Sequence, residues 1–145
     1  MRFQSILGVF FLLVLTASTM RCSGNQAIKG HMADVDVTNW DILAIIEVRY
    51  PQARYDISTQ HPDTKYHKFR IVSHDWAMNI AELEVFLDGD ERWRPEIKGL
   101  YMKNSASDIV EIPAKPRTID RVKVRFQNMS PLGTSIVYFW GKREG

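Results

Sequence analysis

The stretch "IDRVKVRFQN", residues 119–128, alternates apolar and basic side chains with a period of two. On an extended chain the apolar positions share one side and the basic positions share the other. The apolar positions are Val122, Val124 and Phe126, and the basic positions, called the basic row below, are Arg121, Lys123 and Arg125. Burying three unpaired cations would cost far more than burying the apolar side gains. The pattern predicts a strand with its basic row in water, so that Arg121→Ser changes the free energy of unfolding by at most about 0.5 kcal/mol.

Shorter stretches of the same kind fill the chain from residue 40 to its end. "WDILAIIEVRY" (40–50) stops at Pro51, and "IAELEVFLDGDERW" (80–93) contains an Asp-Gly pair, a strong hairpin signal between strand-like runs. "WAMNIAELEVF" (76–86), the best candidate for a helix, alternates acidic and apolar residues at its centre and therefore favours a strand. About eight short strands predict an all-β fold, a single compact jelly-roll-like β-sandwich of antiparallel strands.

The first 24 residues have the order of a secretory signal peptide. Arg2 supplies the positive charge, "ILGVFFLLVL" (6–15) is an unbroken apolar run, and small and polar residues follow. The run is about ten residues long, whereas a membrane-spanning helix needs roughly 20. The predicted organisation is a signal peptide (1–24), a polar tether (25–37) and a β-sandwich domain (38–145). Export places the protein in the periplasm, on the outer membrane as a lipoprotein, or in the medium.

The single cysteine, Cys22, has two interpretations. It is either the lipid-accepting first residue of a bacterial lipoprotein or part of an ordinary cleavage site that ends near Gly24. The apolar run and the following Ser-Gly-Asn favour the lipid anchor, whereas Met20 and Arg21 depart from the small residues that usually precede a lipidated cysteine. Contact with a membrane is expected only through a lipid on Cys22. With one cysteine no disulfide forms within the chain, so an apolar core must hold the domain together.

The charge balance excludes a general nucleic-acid binder. The chain has 19 basic and 17 acidic residues, and removal of residues 1–24 takes away Arg2 and Arg21 but no acid. The mature protein therefore has 17 of each sign. Proteins that bind nucleic acid through its phosphates carry a basic excess.

The sequence contains no catalytic, cofactor or metal motif. His61, Asp63, His67 and His74 are residue types that bind zinc, but a turn at Pro62 separates them and no pair has helical ligand spacing. "DGDE" (88–91) lacks the later ligands of a calcium loop and indicates a hairpin tip. There is no G-x-S-x-G motif around a serine nucleophile. We therefore expect no cofactor, no bound metal and no catalytic residue.

Two groups of residues are candidates for binding. Trp93 and Tyr101 flank polar turns, as Trp76 does, and such aromatic side chains can stack on sugars or anchor a protein. The basic row can hold an anionic polymer or an acidic partner. Alternatively, it is only the solvated side of a strand, with Glu82 and Glu84 on a neighbouring strand to offset its charge.

An Ile-Pro step and a Lys-Pro-Arg step (115–117) precede the alternating strand, and Trp140, Gly141 and Lys142 close the last one. This order, over about residues 40–143, resembles small exported bacterial β-domain proteins of unknown function. Ala114 stands where the family pattern usually has glycine, so we expect a different turn at this position. The resemblance implies no catalytic residue, because none is known for the family.

These observations support two functional hypotheses. The first is an exported, non-catalytic binding or assembly domain of the cell envelope, with an envelope protein, a glycan or another envelope polymer as its partner. The alternative is an envelope hydrolase or enzyme inhibitor whose site is dispersed over the strands. A polar cleft with converging carboxylates or histidines would favour the alternative. The sequence does not specify an oligomeric state.

We expect the mature protein to lack residues 1 to about 21–24. Intact mass spectrometry of the exported protein measures this directly. An acylated Cys22 at the new N-terminus identifies a lipoprotein, and a start near Asn25 identifies a soluble form. Recovery of the chain in the cytosol with Met1 retained would contradict both.

Overall fold

A computed structural model of the protein describes residues 37–145 apart from positions 115 and 128. The expected signal peptide, Cys22 and residues 25–36 of the expected tether lie outside the described residues. In the described part all regular structure is extended. It contains no helix long and apolar enough to cross a membrane.

Eleven strands form in the described residues. They are β1 (Trp40–Arg49), β2 (Arg54–Ser58), β3 (Lys65–Tyr66), β4 (Lys68–His74), β5 (Met78–Leu87), β6 (Glu91–Trp93), β7 (Gly99–Tyr101), β8 (Ser105–Ala106), β9 (Val110–Glu111), β10 (Arg117–Phe126) and β11 (Thr134–Lys142). The expected number of about eight is corrected, because β3, β6, β7, β8 and β9 have only two or three residues each. Pieces this short carry no alternating pattern by which the sequence could identify them.

The strands form two antiparallel sheets. The first sheet has the order β1-β11-β4-β8, with β9 also on β4, and the second has the order β2-β10-β5-β6, with β7 also on β5 and β3 also on β10. With β8 and β9 taken as one position, β6 and β7 as another, and the two-residue β3 left aside, each sheet has four main positions. The chain passes repeatedly from one sheet to the other, which is the arrangement of a jelly roll. The prediction of an all-β sandwich is confirmed.

The core lies between the two sheets, and β10 contributes to it as its alternation predicts. Val122, Val124 and Phe126 are 0%, 3% and 1% exposed. Ile119 is also fully buried although its position has the opposite parity. The pairing of β10 with β5 shifts register between Ile119 and Arg121, and such a bulge turns the preceding side chains to the other face.

The basic row covers an aromatic side chain on the outer face of the second sheet. Phe86 of β5 is opposite Arg121, yet Phe86 is only 3% exposed. The Arg121 guanidinium carbon lies 4.1 Å from the centre of the Phe86 ring, and Lys123 Nζ lies 5.3 Å from it. Arg121 therefore shields apolar surface from water as well as facing it. The expectation that Arg121 is energetically neutral is revised, because its loss would expose the ring.

We expect Phe126→Ala to lower the free energy of unfolding by roughly 3–5 kcal/mol, since it leaves a cavity in the core. Arg121→Ser should lower it by about 1 kcal/mol through exposure of Phe86. Urea denaturation measures both, with Lys65→Ser, an exposed lysine on β3, as the control. A loss in Arg121→Ser no larger than in the control would show that Phe86 does not depend on this cover.

Candidate functional site

A groove crosses the outer face of the second sheet, over β2, β10 and β5. Its volume is about 610 Å³. Five of its lining residues are basic and three are acidic, a formal excess of two positive charges. The lining residues are Arg54, Tyr55, Asp56, Glu82, Leu83, Glu84, Arg94, Lys98, Lys123, Val124 and Arg125. The groove therefore offers a site of ligand size with a local excess of positive charge.

Strand register brings the charged side chains of the groove together. Lys123 of β10 is opposite Asp56 on one side and Glu84 on the other. Arg125 is opposite Arg54 and Glu82 in the same way. Directly opposed residues of antiparallel strands project from the same face, so all of these side chains point away from the core. The hypothesis that Glu82 and Glu84 lie beside the basic row is confirmed.

Most charges in the groove are held in ion pairs. Arg125 donates to Glu82 at 2.6 Å, and Arg94 donates to Glu84 through two nitrogens, at 2.7 and 3.0 Å. These pairs restrict the two glutamates to the walls of the groove and neutralise two of its cations. The groove is therefore organised by its own charges before any ligand arrives.

A second group of cations in the groove is not neutralised in this way. Asp56 lies 3.5 Å from Arg121 and 3.6 Å from Lys123, so one carboxylate serves two cations. Among the described residues, Arg54 and Lys98 have no carboxylate within 4.0 Å. Both side chains are exposed. Arg54 and Lys98 are thus the groove cations without an ion-pair partner among the described residues, and their donors are available to an anionic ligand.

Two carboxylates of the groove are engaged with arginines, and for one of them the pKa moves away from the range that a general acid needs. The hydrogen bond from Arg125 lowers the pKa of Glu82, so this group stays ionised at neutral pH. A general acid needs the opposite change, a pKa raised toward the working pH. Glu84, held by Arg94, is likewise engaged with a cation. This arrangement can attract and orient an anion.

The aromatic candidates lie largely inside the sandwich. Tyr101 is 1% exposed and belongs to the core, where burial raises its pKa to about 12. Trp93 is partly buried, with its ring edge-on to Phe69 at a centroid distance of 6.0 Å. Neither ring is presented to a ligand as the turn positions had suggested, because β6 and β7 pair with β5 and direct both side chains to the interior. Trp76, by contrast, is 46% exposed.

The histidines are distributed over separate places. His61 and Asp63 lie in the exposed segment between β2 and β3, His67 lies between β3 and β4, and His74 ends β4 with its ring edge-on to Tyr138. Within the part of the chain that the structure describes, no three histidine or acidic side chains come together as ligands for a metal ion. These residues therefore do not contribute to the groove.

The acidic hairpin tip at 88–91 binds an arginine. Arg117, whose side chain is 10% exposed, donates from Nε to Asp88 at 2.7 Å and from both terminal nitrogens to Glu91, one of them at 2.8 Å. The hydrogen bonds from Arg117 lower the pKa of Asp88 and of Glu91, and those two carboxylates raise the pKa of Arg117. The tip thus anchors the start of β10 and agrees with the interpretation of this stretch as a hairpin.

Comparisons of the chain with protein-family models, with curated proteins and with solved structures return no match. The resemblance to exported bacterial β-domains therefore stays a prediction. The groove is the feature on which a functional argument can rest.

Sequence reasoning identified two of the five groove cations, Lys123 and Arg125, and missed the other three. Arg54 belongs to the stretch "RYDIS" (54–58), which alternates with a period of two. This alternation could have predicted that Arg54 and Asp56 share the outer side of the strand. Arg94 and Lys98 lie in the irregular segment between β6 and β7, where no periodicity indicates which way a side chain points.

Because Arg117 lowers the pKa of Asp88 and Glu91, this cluster stabilises the fold above the ordinary carboxyl pKa of about 4. That stability is lost as the pH falls through the lower pKa values of the folded state. We expect Arg117→Met to have a free energy of unfolding that declines less steeply than the parent's between about pH 5 and pH 2. Urea denaturation across this range measures the slope.

The control for this experiment is Arg92→Met, which removes an exposed arginine of the neighbouring β6. The slope of this variant should match that of the parent. Identical slopes for the parent and Arg117→Met would contradict the assignment of acid sensitivity to the cluster.

Proposed function

We propose that the protein is an exported, non-catalytic binding domain of the cell envelope that holds an extended anionic polymer in the groove of the second sheet. The observation that carries this proposal is the presence of Arg54 and Lys98 in the groove without a neighbouring carboxylate among the described residues. An anionic group at either of them gains charge-assisted hydrogen bonds without displacing an existing ion pair.

The lining favours recognition through charge over recognition through stacking. Tyr55 is the aromatic residue of the groove, and its ring packs edge-on against Phe126 at a centroid distance of 5.9 Å. Its hydroxyl accepts a hydrogen bond from the Arg49 backbone at 3.0 Å, so the side chain is engaged within the fold. A neutral glycan, which binds mainly by stacking on exposed rings, finds no platform here. An acidic polymer fits the cations better.

The ion pairs along the groove also suit an extended ligand. Arg94–Glu84 and Arg125–Glu82 alternate cations with carboxylates along the sheet, so successive charges of a polymer meet donors at intervals and are repelled between them. Such alternation selects the spacing of the ligand's charges more than it raises total affinity. Export, which the first 24 residues predict, would bring the groove to the polymers of the envelope.

The hydrolase alternative gains no support from the groove. Three carboxylates converge there, as that hypothesis requires, but each lies within 3.6 Å of a cation. Glu82, moreover, has its pKa lowered. No observation favours enzyme inhibition over simple binding either.

We expect the purified protein to bind polygalacturonate, an acidic polysaccharide, in titration calorimetry at low salt and to bind neutral dextran much more weakly. The double variant Arg54→Ser/Lys98→Ser should lose affinity for polygalacturonate by at least about tenfold, because two charge-assisted contacts are removed. Binding by the parent should weaken as salt is added, and the polymer should keep its length.

The matched control is Lys65→Ser/Lys68→Ser, which removes two positive charges on β3 and β4, outside the groove. It should bind as the parent does once both variants are shown to be folded. Equal losses in the two double variants would mean that net charge alone governs binding, and no binding by the parent would contradict the proposal. Shortening of the polymer would instead favour the hydrolase.

A further inference from the structure

One end of the sandwich exposes apolar side chains on four separate loops. The loops are 50–53, 75–77, 102–104 and 127–133 without position 128, and their described residues are together called the loop end below. Seven large apolar side chains are exposed in the described residues, and four of them lie here. They are Tyr50 at 59%, Trp76 at 46%, Met102 at 42% and Leu132 at 86% exposed.

Strand pairing places these four loops together. Arg49 pairs with Thr134, so the loops that follow β1 and precede β11 are neighbours. His74 pairs with Ile136, and Ser105 pairs with Ser73, which adds the loops after β4 and before β8. Antiparallel pairing returns the chain to the same end each time. The fold therefore brings the four apolar loops together, and no local stretch of the sequence could have predicted this clustering.

Hydrogen bonds between the loops hold the tips in position. Ser73 and Ser135, both buried, donate to the Trp76 carbonyl at 3.1 and 3.0 Å. The Asp75 backbone donates to Asn104 at 3.4 Å and joins two of the loops. The Trp76 ring lies against Gly133, where any Cβ would overlap the indole. Trp76 is thus held in position with nearly half of its surface in water.

The composition of the loop end suits a lipid surface. Its 16 described residues include one acid, Asp75, and one base, Lys103. Tyrosine and tryptophan are the side chains that prefer the boundary between water and hydrocarbon, and leucine and methionine prefer the hydrocarbon. A nearly uncharged surface of this kind can enter the headgroup region without desolvating many ions.

The shape of the loop end favours a bilayer over a protein partner. The strongest contacts between proteins fill preformed pockets. The cavity beside Trp76, Met129 and Gly133 has a volume of about 20 Å³, too small for a partner's side chain. Four exposed side chains on separate loops need a partner surface that can deform around each of them, as a fluid bilayer can. The first strand begins at Trp40, which pairs with Lys142 at the end of the sandwich opposite the loop end.

We propose that the loop end docks the domain on a phospholipid bilayer, with Trp76 and Leu132 inserted below the headgroups and Tyr50 and Met102 beside them. This contact is separate from a lipid on Cys22 and from the groove. Its strength comes from buried apolar surface, so it depends only weakly on lipid charge and on salt.

The test is sedimentation of the protein with phosphatidylcholine vesicles, with and without phosphatidylglycerol. Every sample carries Cys22→Ser, so that no acyl chain contributes. The parent should sediment with both vesicle types and remain bound in high salt. Leu132→Ser, at a turn tip where the side chain supports no packing, should reduce partitioning by about tenfold, and Trp76→Ser/Leu132→Ser should abolish it.

The matched control is Ile45→Ser/Ile109→Ser, which removes two exposed apolar side chains outside the loop end. It should sediment as the parent does. Insertion is checked independently with brominated phosphatidylcholine, which should quench parent fluorescence much more than that of Trp76→Phe. The proposal is overturned if the parent fails to sediment, if binding disappears in high salt, or if the control loses as much as Leu132→Ser.

Discussion

The cost of burying unpaired cations on β10 is the constraint on which this structure depends. Three basic side chains alternate with three apolar ones along the strand, so the strand can face the core in one way only. In the second sheet β10 pairs with β2, β3 and β5, which makes it the strand from which the other registers are set. A shift by one residue would place the basic row inside the sandwich and expose Phe126.

The same constraint produces the candidate site. Side chains kept out of the core must lie on the outer face, where they meet the outward residues of β2 and β5. Some of these contacts are ion pairs, such as Arg125–Glu82. In another contact, the Arg121 guanidinium covers the Phe86 ring. Arg54 and Lys98 are left beside these pairs, and a groove with two available cations is the result. A structural requirement and a binding surface therefore share one row of residues.

The two proposed surfaces lie on different parts of the sandwich and rely on different physics. The groove works through charge on the face of a sheet, and salt weakens such contacts. The loop end works through apolar area at the tips of loops, where screening has little effect. A domain that docks on a bilayer by its loops could hold a polymer along its flank, since the groove runs over β2, β10 and β5 and leaves the tips free.

The sequence by itself determined the fold class and which side of β10 faces the core. Both follow from the alternation of apolar and polar residues, which is visible in a short stretch of sequence. It predicted the buried positions of β10, the outward side of Glu82 and Glu84 and the strand nature of β5. It did not determine the five shortest strands, or the inward turn of Tyr101, since these follow from pairing with distant residues.

Only the tertiary structure decided which residues became neighbours. Arg54 and Lys98 are 44 positions apart in the chain, and the tips at Tyr50 and Leu132 are 82 apart. No spacing rule connects such positions. Their placement at one groove or at one end of the sandwich comes from the order in which antiparallel strands pass between the two sheets, because each crossing returns the chain to the same face or the same end. The chemistry of each side chain was therefore readable from the sequence, whereas the sites they form together were decided by the packing of the sandwich.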